Sequence, residues 1–132
     1  MNQYLRVPYV DGGRTMAGLD CWGLALRVRA DLGLPELPAD PAAIRGNGSA
    51  IAAQFWSISE SMDRGEPAPG ALAAVFKGSL FVHVGVVVQA DGRLWVMETN
   101  PDVGFMMRRV SDFIAAYYKV IFYNDRNLPE SA

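Results

Sequence analysis

The apolar period of the chain changes once, at Gly70, and that change limits the folds open to it. Before Gly70 apolar residues recur at intervals of three and four; after it they alternate or run together in valine-rich segments. Helices followed by a meander of strands predict an α+β domain built on an antiparallel sheet. At 132 residues the chain is long enough for one domain with its own core, and 1–132 reads as a single domain.

Upstream of Gly70, Cys21, Leu24, Ala25, Val28 and Leu32 form one face of an amphipathic helix, with Arg27, Arg29 and Asp31 off it. Asp20 suits the N-cap, Gly33 suits the C′ position, and Pro35 prevents continuation. Leu34 to Gly48 reads as a long surface connection. Ser49 is placed as the cap of a second helix with the stripe Ile51, Phe55, Ile58 and Met62, and Asp63 to Gly70 reads as a break.

Downstream, Ala71 to Phe76 and Leu80 to Val88 read as strands. Val82, Val84, Val86 and Val88 fall on one face, and Phe81, His83, Gly85 and Val87 on the other. Gln89-Ala90-Asp91-Gly92 is a hairpin turn leading into Arg93 to Glu98. With those four residues as the loop, Val88 pairs with Arg93 and His83 stands opposite Glu98. A bulge or a tighter turn would bring a neighbour of Glu98 there instead, and Asn100 lies on the same face. Met106 to Val110 is a further strand, Ser111 to Tyr118 a short helix and Lys119 to Tyr123 the closing strand. The polar tail Asn124 to Ala132 reads as loose.

Composition removes several function classes. Net charge is −2 and the longest basic run is Arg108-Arg109, which leaves no footprint for a nucleic acid. One cysteine excludes an internal disulfide and a multi-cysteine metal site; one histidine with scattered carboxylates forms no metal cluster. Asp11-Gly12-Gly13 is not followed by a phosphate-cradling pattern, so no cofactor is implied. No stretch approaches the ~20 apolar residues of a membrane span. Met1 to Val10 lacks the apolar region of a signal peptide, and the expectation is a chain made in the cytoplasm without one.

A lone cysteine is a small buried hydrophobe more often than a nucleophile, and a lone histidine is more often structural. Together they read differently. Cys21 opens a helix, where unpaired N–H groups and the dipole favour a thiolate. His83 lies mid-strand among valines, where an imidazole needs partners, and Glu98 or Asn100 supplies one across the hairpin. Nucleophile, base and orienter are the parts thiol catalysis needs. Phe55, Trp56, Phe76, Phe81, Trp95, Phe105, Tyr117 and Tyr118 read as core aromatics. Trp22, beside the cysteine and off the inward stripe, either lines a groove or packs under the loop.

With these residues in place, the chain resembles the NlpC-like cell-wall peptidases, papain-like cysteine hydrolases. Tyr9-Val10-Asp11-Gly12-Gly13 is similar to that family's Tyr-x-x-Gly-Gly, Leu19-Asp20-Cys21-Trp22-Gly23-Leu24 to its Asp-Cys-Ser/Trp-Gly-Leu, and His83-Val84-Gly85-Val86 to its His-Val-Gly-Ile/Val. Pro69-Gly70 resembles the Pro-Gly-Asp element before the first strand, with Ala71 in place of the Asp. Trp22, and a helix ending Leu32-Gly33-Leu34-Pro35, look most like the short members encoded with phage-tail and gene-transfer-agent genes. The resemblance implies a papain-like fold and cleavage of an amide bond in the peptidoglycan stem peptide, typically between D-glutamate and diaminopimelate. It implies tail-tip proteins as partners and action in the wall of the target cell. Cys21 would be the nucleophile and His83 the base; Tyr9 would help the Cys21 N–H hold the oxyanion, Asp20 would support the active-site turn, and Asp20 and Trp22 are grouped with Tyr9 at the oxyanion and substrate side. The family's third polar position, a His about a dozen residues after the first, falls here on Trp95, and the hairpin register points to Glu98 instead. A structural tail-tip protein without turnover, and an acyltransferase or antibacterial amidase on the same fold, are the other functions such a chain supports.

Overall fold

The computed structural model describes residues 2–37, 48–117 and 119–126. A short 3-10 turn (Asn2–Tyr4) and a two-stranded ribbon, β1 (Arg14–Thr15) and β2 (Gly18–Leu19), precede helix α1 (Cys21–Asp31). Helix α2 (Gly48–Ser59) follows, then β3 (Met62–Gly65), β4 (Leu72–Lys77), β5 (Leu80–Ala90), β6 (Arg93–Asn100) and β7 (Gly104–Arg109). Helix α3 (Val110–Ala116) and β8 (Lys119–Asp125) complete the described fold. Strands β3 to β8 form one sheet in the order β3-β8-β4-β5-β6-β7, with every described pairing antiparallel. The chain is an α+β domain of the class its periodicity predicts.

The main core holds Leu72, Ala74, Val84, Val86, Val88 and Met97 of the sheet against Leu24, Ala25 and Val28 of α1 and Phe55 and Ile58 of α2. Alternating sheet residues, including Ala73, Val75, Val87 and Val96, gather instead around Phe113 of α3. Period-two strands thus bury both faces, which is why β5 reads as a nearly continuous apolar run.

Helix α1 begins where the sequence places it. Asp20 is extended (φ −90°, ψ −178°) and its carboxylate accepts from the Gly23 N–H, the N-cap geometry. Leu32 closes the helix, and Gly33 at φ +75° takes the left-handed position that would strain any other residue. The buried face is wider than the predicted stripe: Trp22 and Arg29 are inside, while Leu32 is exposed. Arg29 tolerates burial because its guanidinium binds the Asp125 carboxylate at 2.6 and 2.9 Å and donates to the carbonyls of Gly70 and Pro35. Asp125 and Asn124, assigned by sequence to a loose tail, are strand residues paired with β3; residues 127–132 of that tail lie outside the described residues.

Other boundaries differ for physical reasons. Met62 belongs to β3 rather than to the α2 stripe; Met-Asp-Arg-Gly at a sheet edge has no alternation to announce a strand. Helix α2 already includes Gly48, so Ser49 is inside it and not its cap, and most of the Leu34 to Gly48 connection (38–47) lies outside the described residues. Helix α3 starts at Val110, one residue before Ser111, and Tyr118 is not among the described residues. A bulge pairs Val75 with His83 but Phe76 with Phe81, leaving Val82 over. Val82 turns outward and Phe81 turns into the main core, stacked on Phe55 at 4.3 Å, so both leave their predicted faces.

The β5–β6 turn is tighter than predicted. Ala90 pairs with Arg93 across Asp91-Gly92, whose φ values of 53° and 72° are those of a type I′ hairpin. Val88 therefore pairs with Trp95, not Arg93. This slip is two residues, and side chains alternate with period two, so the tighter turn moves no β6 residue off its predicted face. Among the described residues no helix is long and apolar enough to cross a membrane.

Candidate active site

The segment carrying Tyr9 is brought to Cys21 by backbone pairing. Tyr9 bridges Leu19 in parallel, the Val10 N–H donates to Leu19 O and the Leu19 N–H to Pro8 O. Leu19 leads straight into Asp20 and the helix. Two glycines are required for this approach, Gly13 in the loop and Gly23 in the first turn of α1. A Cβ on Gly13 would stand 2.3 Å from Gly18 O, and one on Gly23 would stand 2.1 Å from Gly13 O, closer than real atoms approach.

Asp20 locks these pieces together. Its Oδ1 accepts from the Gly23 N–H at 2.7 Å and from Arg14 Nη1 at 2.6 Å, and its Oδ2 accepts from the Gly12 N–H at 3.1 Å. The side chain is 1% exposed and fully engaged. It holds the turn, the place the resemblance implies for it, and its buried carboxylate is not a surface open to a substrate. Trp22 is also 1% exposed and belongs to the main core, so of its two readings the groove is wrong and packing under the loop is right. Its stripe position misled because the first turn of α1 is covered on more than one side.

Cys21 is free and half-buried at the first position of α1. Four N–H groups at a helix start lack intrahelical acceptors. With Asp20 as the N-cap these are the N–H groups of Asp20, Cys21, Trp22 and Gly23; that of Asp20 goes to Gly13 O and that of Gly23 to the Asp20 side chain. Among the described residues no acceptor is present for the Cys21 and Trp22 N–H groups, which lie at the helix start beside the sulfur.

His83 reaches the site from β5. Its Nε2 lies 3.0 Å from Glu98 Oε1, and because a carboxylate only accepts, Nε2 carries the proton. Nδ1 is then the nitrogen available to Cys21. Burial disfavours the charged imidazole, but hydrogen bonds to Cys21 and Glu98, with the charges of both, outweigh it and push the His83 pKa up to about 9. Cys21 and His83 are thus close enough to interact, and Glu98 holds the far side of the ring.

Glu98 is wholly buried. Burial would raise its pKa, yet hydrogen bonds from His83 and Tyr117, the His83 charge and a bond from Asn100 hold it below the ordinary carboxylate range. Asn100, the alternative orienter, donates to Glu98 Oε1 at 3.1 Å; no bond from it to His83 is present among the described residues. Two partners were not foreseen. The Tyr117 hydroxyl donates to the same Oε1, and Arg108 Nε lies 2.9 Å from Oε2. Tyr117 read as a core aromatic and Arg108 as part of a charge pair. The register of β7 on β6, which pairs Val96 with Arg108 and Glu98 with Met106, puts Arg108 on the Glu98 face, and sequence does not supply that register. Trp95 faces the main core, its Nε1 donating to Ala90 O.

Tyr9 is half-buried and its hydroxyl donates to Asp11 Oδ1 at 3.1 Å. Burial first, then the charge of Cys21 and the bond to Asp11, raise its pKa, so the phenol keeps its proton next to Cys21. A cavity of about 530 Å³ opens at the other end of α1, lined by residues from Leu26 to Leu37, and shares none with this site. Among the described residues no group of three or more His, Cys, Asp or Glu is placed to hold a metal. Comparison of the chain with known protein families and with curated proteins gives no match.

Proposed function

We propose that this chain is a cysteine hydrolase of the NlpC-like, papain-fold type that cleaves an amide bond in the peptidoglycan stem peptide, between D-glutamate and diaminopimelate. The observation that carries the reading is the single imidazole, bonded through Nε2 to a buried carboxylate and close enough to Cys21 to interact with it. In this reading the Cys21 sulfur attacks the carbonyl carbon and the oxygen takes up the charge. The Cys21 and Trp22 N–H groups, and the Tyr9 hydroxyl on release from Asp11, receive that oxyanion. His83, protonated, gives its proton to the leaving amine as the C–N bond breaks; neutral, it then takes one from the water that hydrolyses the thioester. Delivery by a phage-type tail tip, with tail proteins as partners and the target cell's wall as the place of action, belongs to the same proposal and rests on the resemblance of the three motifs.

Incubation with purified peptidoglycan should release new amine termini, and Cys21→Ala and His83→Ala should each abolish release. Undiminished release by both variants would sink the mechanism. Copurification with tail proteins but no release by the unaltered protein would instead favour the structural tail-tip role.

A further inference from the structure

A full carboxylate is an awkward orienter for a base that must also work neutral. Buried beside an imidazole, it stabilises imidazolium and opposes proton loss. The first half of a thiol mechanism benefits, because His83 then has a proton to give. The second half suffers, because deacylation needs neutral imidazole. The groups around Glu98 address this conflict.

We infer that Arg108 is a positioning residue whose cation offsets the Glu98 charge, so that Glu98 orients His83 without fixing it as imidazolium. Arg108 Nε sits 2.9 Å from Glu98 Oε2, the oxygen that His83 does not use. Its guanidinium also lies over the Tyr117 ring, 5.9 Å from the centroid, and its Nη2 is 3.6 Å from Met106 Sδ. The cation is therefore held on the sheet face that carries Glu98 and is only partly open to solvent. Tyr117 and Asn100 both donate to Oε1 and hold the carboxylate oxygen that faces Nε2. Among the described residues the titratable and charged groups facing His83 are then Cys21 from α1, Glu98 from β6 and Tyr117 after α3, with Arg108 from β7 acting through Glu98. Across one carboxylate, roughly 6–8 Å, a unit charge displaces a titration by about 0.4–2 pH units for effective dielectric constants between about 80 and 20.

His83 is the only histidine, so its ring resonances report one site without assignment ambiguity. The experiment is an NMR titration of the His83 ring at low salt, in a Cys21→Ala background that removes the thiol's own titration. Arg108→Gln should raise the His83 midpoint by about half a pH unit or more, and Arg108→Lys should leave it near the parent value. Arg108→Met, closer in bulk, replaces the Gln variant should that one fail to fold. A midpoint that stays put or falls in the neutral variants, or moves equally in the Lys variant, overturns the inference. In the Cys21-intact protein, Arg108→Gln should move the acid limb of the turnover profile up by the same amount, lowering turnover at neutral pH by about 3- to 30-fold. This rate consequence rests on the hydrolase reading; the titration does not. A raised midpoint with no peptidoglycan cleavage by any form refutes the hydrolase alone, and cleavage with an unmoved midpoint refutes the role of Arg108 alone.

Discussion

Replacing Asp20 by alanine tests whether one carboxylate joins the Tyr9 loop to the nucleophile's helix. The change removes three hydrogen bonds at once: from the Gly23 N–H, the Gly12 N–H and Arg14 Nη1. Loss of an N-cap costs about 0.5–2 kcal/mol. The Gly12 N–H is partly buried, and leaving it unmet adds about 0.5–1.5 kcal/mol. Arg14 keeps its bond to Gly13 O and some contact with water, so its share is about 1 kcal/mol, well below that of a fully buried broken pair. The expected loss is about 2–4 kcal/mol, which for a chain of this size lowers the midpoint of thermal unfolding by roughly 10 °C. Asp20→Asn separates the parts. Its amide oxygen can still cap Gly23, but its NH2 meets the Gly12 N–H donor to donor and Arg14 loses its ion pair with Asp20, so about half the loss is expected. Urea and thermal unfolding of the three proteins measure both steps. A loss below about 1 kcal/mol for alanine, or equal losses for alanine and asparagine, would refute the idea that the carboxylate bridges loop and helix.

Gly23→Ala should destabilise by at least about 1 kcal/mol in urea unfolding, although alanine is the better helix former by about that amount, because its Cβ would sit 2.1 Å from Gly13 O; a stabilised variant would show that the loop can retreat. His83 gives a pH signature of opposite sign to the usual carboxylate one. Its folded-state pKa is raised from 6.5 to about 9, so its contribution to stability is complete below about pH 6.5 and disappears as pH rises through about 9. The difference in unfolding free energy between the unaltered protein and His83→Ala should shrink across that window; a constant gap would mean that the folded state does not favour the imidazolium.

Much of the site was legible because strand geometry forgives even errors. The predicted turn at Gln89 to Gly92 was two residues too long, yet Glu98 still falls on the His83 face, and the bond forms diagonally instead of directly across. A one-residue error would have sent it to the other face. Asp20 and Gly33 were readable because caps depend on local chemistry. What escaped depends on pairing between distant segments. Arg29 looked like a solvent residue until Asp125 arrived from β8, and Arg108 and Tyr117 join Glu98 only once β7 and α3 are folded beside β6. The Val82 bulge is likewise a property of β4 against β5 and leaves no mark on the valine run.

The site is built from two halves of different origin. The base half is local: His83, Glu98, Arg108 and Tyr117 come from β5, β6, β7 and the residue after α3, a continuous meander in which each strand registers the next. The thiol half is a loop and a helix start closed by Asp20, with Cys21 next in the chain. They meet because α1 lies on β5 and β6, joined through Leu24, Ala25 and Val28 to the valines of the main core. The contacts of Asp20 on one side and of Glu98 on the other are each made within their own half, so apolar packing sets the Cys21 to His83 approach. A substitution that shortens Val28 or Val86 should therefore impair thiol reactivity while leaving both hydrogen-bond networks intact, which separates positioning by the core from activation by charge.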